Sequence, residues 1–265
     1  MKPMLFAGAV IVLAAPAAAL AASPFDGTWK TDPASVTMAG KPTVFVLANG
    51  EFACPSCTPP YKVKADGQPH PYANDSGYVD ALAIEVVDAH LVKGTGLKGG
   101  KKVGSQTFTV SPDGKTLTER FVRAPKPGAP PMESSETFSR VAAGPAGSHG
   151  VSGTWRPAAV TSMSPAAAEA SFKVVGPAVD WRSGDGALSY HAMVGGEPVK
   201  IMGDPAGSTV TVEKIGERKI VETDWRKGKK TEVDTFTVSP DGKSMKIEYH
   251  VLDSGRVSTE IAHKI

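Results

Sequence analysis

One nonapeptide occurs twice in this chain. Thr107–Lys115 reads TFTVSPDGK, and Thr235–Lys243 reads TFTVSPDGK again, 128 positions later. A shorter echo lies upstream: Gly27-Thr28-Trp29-Lys30 returns as Gly153-Thr154-Trp155-Arg156, 126 positions later. Two echoes at nearly one offset mark a duplicated module, and a duplication constrains the fold before composition does. The copies overlay through most of their length. Tyr190 falls on Tyr61, Gly196-Glu197-Pro198 on Gly67-Gln68-Pro69, and Ile220 on Val92. The units read this way are residues 22–141 and 151–265. Residues 142–150, made of small residues, glycine and one histidine, read as the linker between them.

Within each unit the pattern is that of β-strands. Thr43–Leu47 and Glu51–Cys54 flank Asn49-Gly50, the strongest two-residue hairpin signal. Ala81–Val87, Leu91–Thr95, Val103–Val110, Lys115–Val122 and Glu136–Val141 follow, separated by glycine, proline and aspartate turns. No segment keeps a helical period for long; Pro165–Ala170 has room for one short turn. Strands in sequential order without long crossovers favour an up-and-down meander closed into a barrel, with a sandwich as the alternative. The expected fold is all-β: two tandem antiparallel barrels of about 8 strands each. A Pro-rich stretch, Arg123–Ser134, interrupts the first unit before its closing strand.

The first 21 residues read as a cleaved signal peptide. Lys2 supplies the positive end, Met4–Leu13 the apolar stretch, and Ala19-Leu20-Ala21 an A-x-A site with cleavage expected before Ala22, Ala17-Ala18-Ala19 being a second such site. Pro16 and the alanine-rich end argue against a retained anchor, so no stable membrane insertion is expected. The expected address is a bacterial periplasm or the medium. Lys plus Arg number 29 against 27 Asp plus Glu, so the net charge of +2 gives no general electrostatic reason to bind nucleic acid.

The Gly-x-Trp opening each unit resembles the calycin superfamily, which includes lipocalins and fatty-acid-binding proteins. The paired units also look like a family of bacterial exported proteins without an established activity. The calycin resemblance implies that Trp29 and Trp155 each plug one end of a barrel. A basic residue from the last strand of the unit would cover each ring: Arg140 ends the first unit and Lys264 the second. Cation–ring contacts of this kind contribute roughly 0.5–2 kcal/mol.

The cysteines are Cys54 and Cys57, in Cys-Pro-Ser-Cys. A redox site would want this motif at a helix N-terminus, and here Pro59-Pro60 follows a hairpin. Zinc would need two further ligands, and none of the histidines has metal-ligand spacing. A short structural disulfide suits an oxidising compartment best. By strand alternation Leu117, Glu119, Phe121 and Arg123 share a face, as do Met245, Ile247, Tyr249 and Val251. If that face is inward, Glu119 is a carboxylate in a cavity where the sister unit has Ile247; a register one residue different would turn Glu119 to water. Glu119, Phe121 and Tyr61 are the candidate ligand-binding residues. No catalytic constellation, metal set or cofactor motif is visible. The leading expectation is therefore an exported binding protein for a small apolar or amphipathic ligand. A protein-binding or envelope-structural module is the alternative, and a cavity-using isomerase or cyclase the third. The chemically unusual residues all fall in the first unit by this reading, which points to its rim near Cys54–Tyr61, or else to the cleft between units.

Overall fold

The computed structural model describes residues 22–74, 76–123 and 130–265. The expected signal peptide lies outside the described residues, as does part of the Pro-rich stretch. The chain is all-β, in two nearly closed antiparallel barrels of about ten strands each rather than eight. The extra strands are short pieces at the open edges, such as Pro69–Pro71 and Val199–Lys200. The repeated nonapeptide builds the same turn twice. Ser111 Oγ donates to Asp113 Oδ1 (2.6 Å), and Asp113 Oδ1 accepts from the Lys115 amide (3.0 Å). Ser239, Asp241 and Lys243 repeat this at 2.6 and 3.1 Å. Gly114 and Gly242 close the two turns at φ 70° and 72°, a conformation that other side chains resist. The Asn49-Gly50 hairpin forms as expected, both residues having positive φ.

The sheets divide the chain differently from the repeat. In the first barrel the strand Gly153–Met163 lies between Thr43–Ala48 and Met132–Ala143. In the second barrel the strand Gly27–Thr31 lies between Glu169–Val175 and Arg256–Lys264. Each unit thus lends its opening strand to the barrel of the other. The segment 142–150, read as a linker, is the connection of a hairpin within the first sheet. Its neighbouring strands pair directly, with Arg140 opposite Trp155 and Ala143 opposite Gly153. The chain passes between barrels elsewhere: through the turn Pro33–Ser35 and the strand Thr37–Ala39, and through the one-turn helix Pro165–Ala168.

Loop-closure entropy favours one pairing of the exchange and opposes the rest, since Gly27–Thr31 reaches Glu169–Val175 and Arg256–Lys264 only across long loops. The two opening strands are near copies, so either one suits either closing strand. Pairing Met132–Ala143 with the next strand along closes a short loop, whereas pairing it with Gly27–Thr31 closes one of about a hundred residues. The second barrel is then left without an opening strand and takes the remaining one. The tryptophan plugs follow the exchange. Arg140 lies 4.0 Å over the Trp155 ring and Lys264 4.7 Å over Trp29, so each cation covers the other unit's indole, not its own. The indole N–H groups donate to Val151 O (2.9 Å) and Phe25 O (2.8 Å) in matching fashion. Two separate cores result, one around Phe52, Phe108, Leu117 and Trp155, the other around Trp29, Val179, Ile220 and Met245.

Candidate functional site

The interior of the first barrel is the candidate site, and three glycines open it. Gly94, Gly96 and Gly104 lie on adjacent strands, Leu91–Lys98 and Lys101–Val110, and line a cavity of about 670 Å3. Leu82, Ile84, Tyr72 and Phe121 supply apolar walls. Phe121 is 40 % exposed, so its ring presents unburied apolar surface to this space. The mouth is bridged to the other barrel. Arg123 stacks 4.9 Å over Tyr78 and reaches Asp185 at 3.5 Å, and Leu188 and Pro205 also line the opening. A second chamber of about 300 Å3 adjoins, holding Glu119, Glu136 and Phe138, with Arg256 from the other barrel. Tyr61, Gln106 and Phe121 line both chambers and so form the partition between them.

Glu119 therefore faces inward, and the register that would turn it to water does not occur. It sits opposite Phe108 on one neighbouring strand and Glu136 on the other, next to the fully buried Leu117 of its own face. Its residual accessible surface opens onto the chamber. Burial is the main reason its carboxyl is pushed up to about 7; the Glu136 charge adds to this, while a hydrogen bond from Gln106 Nε2 and the charge of Arg256 oppose it. Burial also raises Glu136. The Tyr61 hydroxyl is raised by burial first, then by Tyr72 and Glu119. At neutral pH such a carboxyl either donates or accepts a hydrogen bond, which suits the polar end of a ligand.

Cys54 and Cys57 are joined in a disulfide. Cys54 is buried in the first core, and Cys57 reaches the smaller chamber beside Tyr61. Phe52, Tyr61 and Tyr72 form a run of ring contacts, with Tyr61 and Tyr72 edge-on at 5.2 Å across the open seam of the barrel. Trp29, Arg140, Trp155 and Lys264 line neither chamber of the first barrel. Among the described residues, no three His, Cys, Asp or Glu side chains converge to hold a metal ion.

The chemically unusual residues do not all fall in the first unit. At the positions of Gly94, Gly96, Gly104 and Gln106 the second barrel carries Glu222, Asp224, Glu232 and Asp234. Glu260, opposite Ile247, adds a fifth carboxylate, accepting from Thr31 Oγ1 (2.7 Å) and the Tyr249 hydroxyl (3.3 Å). The signal was present in sequence: Glu222 and Asp224 continue the parity of the buried Ile220, and Glu232 and Asp234 that of Phe236 and Val238. No known protein family matches this chain, and no curated protein matches it either.

Proposed function

We propose that the chain is an exported carrier or scavenger of a small amphipathic ligand, held in the first barrel in the manner of a lipocalin. The observation that carries this reading is the glycine-opened cavity of about 670 Å3, walled by aromatic and aliphatic side chains. That volume lies within the roughly 300–1,000 Å3 range of small-molecule sites, which combine apolar walls with a few placed polar groups. The apolar body of the ligand occupies the larger chamber against Phe121. Its polar end meets Gln106 and Glu119 through the partition. A packed interior would have favoured a protein-binding role instead. The disulfide fits an oxidising, exported setting.

Gly94→Leu tests this reading. A Cβ at Gly94 meets nothing closer than Ile84 Cδ1 at 3.4 Å, so the branch grows into the cavity without disturbing the backbone. Titration with an environment-sensitive apolar dye should give saturable binding to the native chain. The variant should bind at least about tenfold more weakly, a change of about 1.4 kcal/mol. Equal dye binding by both proteins would remove the first barrel as the site.

A further inference from the structure

The second barrel holds four inward carboxylates at positions where its twin has none. Glu222 and Asp234 are directly opposite one another, and so are Asp224 and Glu232. All four side chains follow the inward parity of Ile220 and Phe236. They form two tiers of paired carboxylates, separated by two residues along the strands, or about 6.8 Å. Glu222 is only 6 % exposed and lies between Val212 on one neighbouring strand and Asp234 on the other. Its Oε1 has no hydrogen-bond partner, nor has Asp234 Oδ1. The cations Arg226 and Arg256 act on the second pair: Arg226 on Asp224, and both on Glu232. Burial first pushes both Glu222 and Asp234 up; the charges of Asp234, Asp224 and Glu232 add to this at Glu222, and those of Glu232, Asp224 and Glu260 at Asp234. Tyr249 donates to Glu260.

A buried carboxylate must be paired, solvated or protonated, and two with orphaned oxygens side by side require an explanation. The barrel wall does not need acids here, since the first barrel places three glycines and a glutamine at these four positions. The carboxylates are dispersed along the barrel and do not converge on a point, which disfavours a single metal ion. Two carboxylate pairs one above the other instead match a ligand with two positive charges on a short chain. The tier spacing is close to the separation of the ammonium groups in an extended four-carbon diamine.

We propose that the second barrel is a binding site for a linear aliphatic diamine or polyamine. One ammonium is held between Glu222 and Asp234 and the next between Asp224 and Glu232, with the methylenes against the barrel wall. This site is separate from the ligand cavity of the first barrel and does not depend on it.

The test is calorimetric titration of the full chain at about pH 8, where free carboxylates are ionised. The probes are 1,4-diaminobutane, spermidine, butylamine, magnesium chloride and calcium chloride, each against sodium chloride of equal ionic strength. Diaminobutane and spermidine should bind at least about tenfold more tightly than butylamine. E222Q and D234N, each tested singly, should weaken diaminobutane by about tenfold or more with the circular dichroism spectrum unchanged. Both replace a charge with an amide of the same shape, and the twin barrel already has Gln106 at the position of Asp234. Binding of magnesium or calcium that displaces diaminobutane would overturn the proposal in favour of a metal site. No heat beyond that of sodium chloride in the native chain would overturn it in favour of acids held by shared protons alone.

Discussion

Trp29 belongs by sequence to the first unit and by packing to the second barrel, where it is 1 % exposed beneath Lys264. Trp29→Ala should therefore destabilise the second barrel by about 3–5 kcal/mol, as truncations of large core aromatics do. Hydrogen exchange locates the effect: amides of residues 209–264 should lose protection while those of 43–138 keep it. Loss confined to the first barrel would contradict the exchanged pairing. Glu119 supplies a second residue-level expectation. Its folded-state pKa lies above the ordinary carboxyl value, so the folded protein binds that proton more tightly than the unfolded chain does. The resulting stabilisation is complete below the unfolded value and is lost as pH rises through about 7. Glu119→Gln removes this loss. The unfolding free energy of the variant, from urea titration, should match native near pH 4 and exceed it above pH 8, by about 1–2 kcal/mol after allowance for solvent in the chamber. A variant with the same pH profile as the native chain would show that Glu119 ionises freely.

At the scale of elements, the hairpin Thr43–Ala48 with Glu51–Cys54 carries the disulfide at its end, just before Tyr61–Lys64 begins the last strand of that edge. The loop closed between Cys54 and Cys57 is short, so the bridge is expected to contribute only about 2 kcal/mol through the unfolded chain. A Cys54→Ser, Cys57→Ser double variant should have an unfolding free energy in urea lower by that amount and still form both barrels. Dye binding in the first barrel should weaken as well, because Cys57 and Tyr61 line the smaller chamber together. Strands, turns and the inward face of Thr116–Arg123 were legible from sequence because each is fixed locally, by alternation and by Asn-Gly or Asp-Gly turn chemistry. The acid tiers are equally local, since Glu222, Asp224, Glu232 and Asp234 continue the parity of Ile220 and Phe236; what strand periodicity does not reveal is that carboxylates occupy an inward face. The cavity was not legible: glycines at positions 94, 96 and 104 read as weak strand residues until the barrel places them side by side.

For the whole molecule, the repeat reveals two units but not which opening strand joins which sheet. That choice is degenerate in sequence, since Gly27-Thr28-Trp29-Lys30 and Gly153-Thr154-Trp155-Arg156 offer nearly the same edge. It follows that cutting at the repeat boundary is the wrong place to divide the protein. A fragment of residues 22–141 lacks the strand Gly153–Met163 that lies between two strands of its sheet, and should give broad, poorly dispersed amide resonances. A fragment of residues 40–165 holds the complete first sheet in one continuous run and should give a dispersed spectrum with a cooperative melt. Dispersed spectra from the shorter fragment would mean that an opening strand is able to return to its own unit.

The exchange also imposes an order on assembly. Gly27–Thr31 leaves the ribosome early among the described strands, yet its sheet neighbours are Glu169–Val175 and Arg256–Lys264, and Ile265 still hands its amide to Thr28 O at 3.0 Å. The first barrel is contiguous and can close while synthesis continues; the second must wait for its last strand with its first already made. During that interval a strand bearing Trp29 has an unpaired edge and an uncovered indole, the features that recruit a chaperone or a neighbouring chain. Refolding from urea should accordingly be biphasic, with a fast phase from the first barrel. A slow phase limited by closing a loop of more than two hundred residues should also appear, and joining the two termini through a flexible linker should accelerate it.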